Sequence, residues 1–147
     1  MSAEDVEIGR WTGKAGSIRF VRSGPQVTVT QFAGLMGPGA AQAVRDSVGS
    51  MLDSSHGPVH HFIDLGALVR PESEVRNAYM ALLLEHRRSL ASLSCHFDAD
   101  SVLTSLMVTA ANIALGGMVR MYKDPTSFER AKRLAAGTQT LPFARAS

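Results

Sequence analysis

The stretch HFIDLGALVRPESEVRNAYMALLLEHRR, residues 61–88, contains a strand, a short loop and a helix in that order. Its first residues are mostly apolar, as in a buried strand, and the run ends at an acid, Asp64. The loop Gly66–Ser73 follows, and apolar residues then recur at three- and four-residue steps, which predicts a helix. Strand–loop–helix units of this kind build parallel sheets with crossover helices.

The alternation of strands and helices continues on both sides of this stretch. On the amino-terminal side, the turn residues Ser23–Gln26 predict a hairpin, and a helical pattern begins at Ala40. The helix of the quoted stretch is expected to run to Leu93, and a helix over Val102–Leu115 is expected to be capped by Asp98 or Asp100. The predicted order is β-β-α-β-α-β-α-β-α, an α/β fold with a mixed, mostly parallel sheet of about five strands and four helices.

The composition indicates a single globular domain. The 147 residues are 45% hydrophobic and 19% charged, which is sufficient for one core. We expect a loose amino-terminal arm over residues 1–16, the domain proper over 17–136 and a tail over 137–147. The net charge of +2 is too small to indicate nucleic-acid binding. Cys95 is the only cysteine, which excludes an intrachain disulfide and fits a reducing cytoplasm.

Two segments bear on membrane localisation. The first ten residues, MSAEDVEIGR, have no apolar core and do not resemble a secretory signal. Ser101–Val119 carries no charge, which raises the question of a membrane span. Its pattern instead predicts a helix with one buried face, and we expect a cytoplasmic protein without membrane insertion. That predicted face comprises Leu103, Leu106, Met107, Ala110, Ile113 and Ala114.

Ser73 and its neighbours are the main functional candidates, because sites in parallel sheets usually lie beyond the carboxyl ends of the strands. Two interpretations of Ser73 stay open. As a residue of the first helical turn, it stands with Glu72 and Glu74 where acids favour the helix dipole. As a phosphorylation site, it would place a phosphate at a helix N-terminus, with Arg70 and Arg76 within reach.

The order of the elements and this loop together resemble the STAS domain family, which includes bacterial anti-sigma factor antagonists and the cytoplasmic tails of sulfate transporters. In that family a middle strand runs into Asp-Leu, and Asp-Ser opens the next helix. Here Asp64-Leu65 matches the first pair, Ser73 follows Asp64 at the family's nine-residue spacing, and Glu72 replaces the second acid. The sequence departs from the family at Arg70-Pro71 and at residues 74–76, where the family has an apolar pair and small residues.

The resemblance covers residues 17–136 and implies a non-enzymatic regulatory domain that binds a partner protein. In the family, a partner kinase of the anti-sigma type phosphorylates the serine, here Ser73. The alternative on the same fold is a module that binds a lipid or another small molecule, and its mark would be a sizeable apolar pocket under the helix Ser73–Leu93. The candidate partner-binding residues are Asp64, Arg70, Glu72, Arg76 and Met36.

No pattern in the sequence predicts a catalytic residue, a metal site or a cofactor. His60 and His61 are adjacent in a strand and therefore point to opposite faces, and no HExxH spacing is present. Cys95 and His96 face apart for the same reason, so they do not form a nucleophile–base pair. A homodimer through the amino-terminal strands stays open, because the opening hairpin leaves a sheet edge.

Overall fold

The computed structural model describes residues 5–140, with side chains as far as residue 137. One sheet holds six strands in the order β1-β2-β3-β4-β5-β6. The pairs β1–β2 and β2–β3 are antiparallel, and the strands from β3 to β6 pair in parallel. The elements are β1 (Val6–Thr12), β2 (Gly16–Gly24), β3 (Val27–Gly34), α1 (Ala40–Asp53), β4 (Val59–Leu68), α2 (Ser73–Glu85), β5 (Leu90–His96), α3 (Val102–Ala114), β6 (Val119–Tyr122) and α4 (Pro125–Thr140), with a 3-10 turn at Arg87–Ser89.

The helices cover the two faces of the sheet unequally. The larger core lies between one face and the helices α1, α2 and α3, and the smaller core lies between the other face and α4. Successive strand residues alternate between these cores. In β4, for example, Phe62 packs against Phe128 of α4, whereas Ile63 belongs to the larger core. The predicted α/β fold, with a mixed and mostly parallel sheet, is therefore confirmed.

A sixth strand, β1, occupies residues that the sequence analysis assigned to a loose arm. It pairs antiparallel with β2, with a bulge between Glu7 and Gly9. The Glu7 carboxylate accepts hydrogen bonds from Arg10 of the same strand and from Arg19 of β2, and these bonds hold the pKa of Glu7 at about 2. The Trp11 indole donates a hydrogen bond to the Pro38 carbonyl oxygen at 3.2 Å. The strand signal here is short, because Gly9 and the bulge interrupt the alternation of Val6, Glu7 and Ile8, and both apolar residues are exposed.

Two helix boundaries differ from the sequence prediction. Helix α2 ends at Glu85 rather than Leu93, and β5 begins at Leu90. The reason is that the run from Leu90 is buried on both faces of a parallel sheet, and such a run has no periodicity to separate it from a buried helix. Helix α4 continues to Thr140, beyond the predicted end of the domain at residue 136, and residues 141–147 of the predicted tail lie outside the described residues.

Helix α3 differs from its prediction in its cap and in its packing. Its N-cap is Ser101, whose hydroxyl accepts a hydrogen bond from the Thr104 N–H, whereas Asp98 bonds the Asp100 N–H in the preceding turn. Within the helix only Thr104 and Val108 are buried. The predicted buried face is therefore wrong, because five of its six members are exposed. Leu103, Leu106 and Ile113 are 63%, 62% and 75% exposed, and Ala110 and Ala114 are exposed as well.

Candidate functional site

A cavity of 320 Å³ lies between α2, α3 and the sheet. It is more than twice the size of a cavity of roughly 150 Å³ that holds benzene, and it falls at the lower end of the range for small-molecule sites, about 300–1,000 Å³. The sheet forms its floor, and the facing sides of α2 and α3 form its walls. The lining residues are Phe32, Met36, Ile63, Leu65, Leu68, Pro71, Glu72, Val75, Arg76, Tyr79, Met80, Leu83, Leu93, Cys95, Met107, Val108, Ala110, Ala111, Ala114, Leu115 and Val119.

The cavity exists because α3 presents small side chains to α2. The α3 residues on this wall include Ala110, Ala111 and Ala114, which are too short to reach across to the larger residues of α2. The apolar residues that would fill the gap, such as Leu106 and Ile113, stand instead on the exposed side of the helix. Ala110 and Ala114 are themselves exposed, so the cavity is open to solvent along α3 as well as at the start of α2.

A buried polar chain fixes the wall formed by α2. The Tyr79 hydroxyl donates to Thr30 Oγ1 at 2.6 Å, so the hydroxyl accepts from His61 Nε2, also at 2.6 Å. His61 Nδ1 then accepts from the Thr28 hydroxyl at 2.6 Å. Burial lowers the pKa of His61 to about 3 and raises the pKa of Tyr79, so both groups are neutral. All four polar groups are satisfied, and the Tyr79 ring is held against the cavity.

The two charged lining residues stand at one end of the cavity, at the start of α2. Glu72 is the N-cap of the helix, and its carboxylate accepts hydrogen bonds from the N–H groups of Glu74 and Val75. Arg76, one turn further on, is exposed and also lines the cavity. Among the described side chains, none forms an ion pair or a hydrogen bond with the Arg76 guanidinium. This end of the cavity therefore reaches the surface beside a positive charge.

The candidate residues from the sequence separate into three groups in space: residues that line the cavity, exposed residues beside it, and Asp64 on the opposite face of the sheet. Met36, Glu72 and Arg76 line the cavity. Ser73, the first residue of α2, is exposed beside its charged end, and Arg70 is exposed in the loop that leads to it. Met36 is half-buried at the cavity wall, although the sequence suggested an exposed loop contact.

Asp64 lies apart from these residues, on the opposite face of the sheet. Its Oδ1 accepts the N–H of Gly66, a residue of the same strand, at 2.9 Å and pairs with His96 Nδ1 at 2.9 Å. The His96 ring packs against Phe128 of α4. Asp64 lies inside β4 rather than at its end, since β4 continues to Leu68. Asp64 therefore cannot share one contact surface with the residues that line the cavity.

Cys95 faces the cavity, and its neighbour His96 faces α4, so the two side chains point in opposite directions. Burial raises the pKa of the Cys95 thiol to about 12, which leaves it protonated at neutral pH. The thiol is thus a weakly polar part of an apolar wall. No group of three His, Cys, Asp or Glu side chains within the described part of the chain is arranged to hold a metal ion.

Sequence reasoning did not identify most of the cavity residues. Phe32, Tyr79 and Met107 belong to regular elements and carry the apolar pattern of any core residue, so no local signal marks them as cavity-lining. The one sequence signal for the cavity was the cluster of small residues in α3, and such a cluster is equally typical of a helix without a cavity beside it. Over residues 5–140, no helix has the length and apolar character that a bilayer span requires.

Comparison with known proteins bears on the fold. No family model matches the sequence, and no curated protein matches it. Among solved structures, the chain is similar to the crystal structure of an uncharacterized protein from the DUF3478 family with a SpoIIAA-like fold, from Shewanella loihica PV-4. The two are 14% identical with a TM-score of 0.58, and the match covers 82% of this chain and 98% of that chain. The predicted STAS-like fold is therefore confirmed as a SpoIIAA-like fold.

Proposed function

We propose that this chain is a non-enzymatic binding domain that holds an apolar small molecule in the cavity between α2 and α3. The observation that carries the proposal is the cavity itself: 320 Å³, with Glu72 and Arg76 as its charged residues among the described lining. It is the pocket that the sequence analysis named as the mark of a small-molecule module. Burying an apolar ligand there gains about 25 cal/mol for each Å² removed from water, and the fixed walls keep the entropic cost of binding low.

The proposal assigns no catalytic activity to the cavity. Among the lining groups, the Tyr79 hydroxyl belongs to a closed hydrogen-bond chain with His61, the Cys95 thiol is protonated and the Glu72 carboxylate caps α2. A catalytic site needs a titratable group directed at the substrate, and these groups supply none. The proposal also places the protein in the cytoplasm, where a lone buried thiol stays reduced.

Calorimetric titration of the full chain with 1-decanol tests the proposal, because this alcohol is apolar, uncharged and of suitable length. We expect one saturable site and a negative heat-capacity change of binding. Met107→Gln should weaken binding, because the amide would enter the cavity wall. Leu106→Gln is the matched control, since Leu106 is exposed on the outer side of the same helix. Binding that is lost in the Leu106 variant and kept in the Met107 variant would place the ligand on the surface and reject the proposal.

A second candidate function is the regulatory interaction implied by the STAS resemblance, and one observation favours it. Ser73 is exposed at the first position of α2, where a kinase has access to its hydroxyl. A phosphate there would not take the N–H groups of Glu74 and Val75, which bond the Glu72 carboxylate. It would depend on Arg70 and Arg76 instead.

Affinity capture with wild type, Ser73→Ala and Ser73→Asp as baits tests this second candidate. A phosphorylation switch predicts a partner that wild type and Ser73→Ala retain and Ser73→Asp loses. Equal recovery by all three baits would reject the switch and leave the cavity proposal untouched.

A further inference from the structure

The cavity has a distinct polarity along its length. Its apolar lining extends along α2 from Val75 to Leu83, and its charged residues, Glu72 and Arg76, both stand at the amino-terminal end of that helix. This end lies beyond the carboxyl ends of β3 and β4, where ligands of parallel sheets usually bind. A molecule that fits such a site has an apolar body and one polar end.

Of the two charged residues, only Arg76 offers hydrogen-bond donors to that polar end. The Glu72 carboxylate keeps its charge, but its two oxygens already accept the N–H groups of Glu74 and Val75 at 3.2 and 3.0 Å. The Arg76 guanidinium has no ion-pair or hydrogen-bond partner among the described side chains, and it both lines the cavity and meets solvent. The positive end of the helix dipole adds to it. An anionic group placed here keeps its contact with water and gains a guanidinium partner.

The volume limits the length of the apolar body. A cavity of roughly 150 Å³ accommodates the six carbons of benzene. By proportion, the 320 Å³ here corresponds to about twelve non-hydrogen atoms. A two-chain phospholipid is much too large to be enclosed, whereas a single medium-length chain or a compact two-ring molecule is not.

We propose that the ligand is a single-chain or two-ring amphiphile of about twelve non-hydrogen atoms that carries a carboxylate or a similar anionic group, and that Arg76 binds this group at the amino-terminal end of α2. This inference rests on the proposed function, because it assigns the ligand class to the same cavity. Arg76 thereby becomes the residue that selects the charge of the ligand, and the apolar walls select its size.

Three probes with the same ten-carbon chain test the inference: decanoate, 1-decanol and decyltrimethylammonium. The two ionic probes are titrated into the full chain below their micellar concentrations, and 1-decanol below its solubility limit. In Arg76→Gln we expect decanoate to bind about fivefold more weakly, as for a partly exposed ion pair. The affinity for 1-decanol should change less than about twofold, and the cation should bind no more weakly than before. Arg76→Lys should restore part of the decanoate affinity, and raised salt should reduce it in wild type.

The control is Arg45→Gln, which removes an exposed arginine from α1, away from the cavity lining. It should leave the binding of all three probes unchanged. If Arg76→Gln weakens decanoate and 1-decanol equally, or if Arg45→Gln has the same effect as Arg76→Gln, the charge assignment is wrong although a cavity ligand remains. If none of the three probes binds wild type, the proposed function itself fails, and this inference fails with it.

Discussion

Filling the cavity should stabilise the protein and remove ligand binding in a single substitution. Ala111 lines the cavity from α3, and replacing it with leucine adds three carbon atoms that can extend into the empty space. Burial contributes about 0.8 kcal/mol for each added group, or about 2.4 kcal/mol in total. Ordering the leucine side chain costs about 0.5–1 kcal/mol. Ala111→Leu should therefore raise the free energy of unfolding by about 1.5 kcal/mol.

The second half of this prediction concerns how much an added ligand raises the free energy of unfolding. A ligand present at a hundred times its Kd stabilises the wild type by about 2.7 kcal/mol. Ala111→Leu should lose most of that increment, because its new side chain occupies the ligand volume. Urea denaturation with and without decanoate measures both quantities. Thr109→Leu is the matched control, since Thr109 is exposed on α3, and its free energy of unfolding should change by less than about 0.5 kcal/mol.

Two results would refute this reasoning. If Ala111→Leu lowered the free energy of unfolding by more than about 1 kcal/mol, the space beside α3 would already be closely packed and leucine would overpack it. If Ala111→Leu were stabilised by decanoate as strongly as wild type, the ligand would bind outside the cavity.

Further predictions concern the buried groups around the cavity. Tyr79→Phe leaves the His61 Nε2–H without an acceptor and should lower the free energy of unfolding by about 1–3 kcal/mol in urea denaturation. Because burial lowers the pKa of His61 to about 3, its protonation favours the unfolded chain. The stability contributed by neutral His61 is therefore complete above about pH 6.5 and falls by about 1.4 kcal/mol per pH unit below it. His61→Gln should flatten this dependence between pH 7.5 and 5. With the pKa of Cys95 at about 12, about one thiol in ten thousand is ionised at pH 8. A neutral disulfide reagent should therefore label Cys95 far more slowly in the folded protein than in urea. Decanoate should slow the labelling of the folded protein further. Asp64→Asn should leave decanoate binding unchanged, since Asp64 faces α4, and any change above about twofold would contradict the separation of the two faces.

The sequence was sufficient to predict the alternation of strands and helices, because most elements from Ala40 onward carry their own apolar pattern and are separated by turn residues. It was not sufficient for β1, whose residues pair with β2 through backbone bonds and the Glu7 ion pairs. Pairing of that kind depends on a neighbouring strand already in place, and the local sequence does not encode it. The end of α2 was misplaced because the buried run from Leu90 has no period of its own.

The site was predictable only in part. Glu72 and Arg76 were identified from their position at a helix start beyond a parallel strand, and both line the cavity. The cavity was not predicted, because its volume depends on how far α3 stands from α2 and on which side of α3 carries the large residues. Periodicity predicted that Leu106 and Ile113 would be buried, yet both are exposed, and the α3 part of the lining includes Ala110, Ala111 and Ala114 instead. Which side of an apolar helix meets the sheet is decided by tertiary packing, and the local pattern does not encode it.

Methionine methyl NMR tests the central claim most directly, because the chain carries its own internal controls. Of its seven methionines, Met36, Met80 and Met107 line the cavity, whereas Met51 is a buried residue of α1 and Met121 is exposed on β6. The ε-methyl signals of full-length protein labelled with ¹³C-methionine would be followed during a decanoate titration and assigned with single Met→Leu variants. The account predicts that Met36, Met80 and Met107 shift together along one saturable curve while Met51 and Met121 stay in place. Saturable shifts confined to Met121, or no shift at the three cavity methyls, would contradict it.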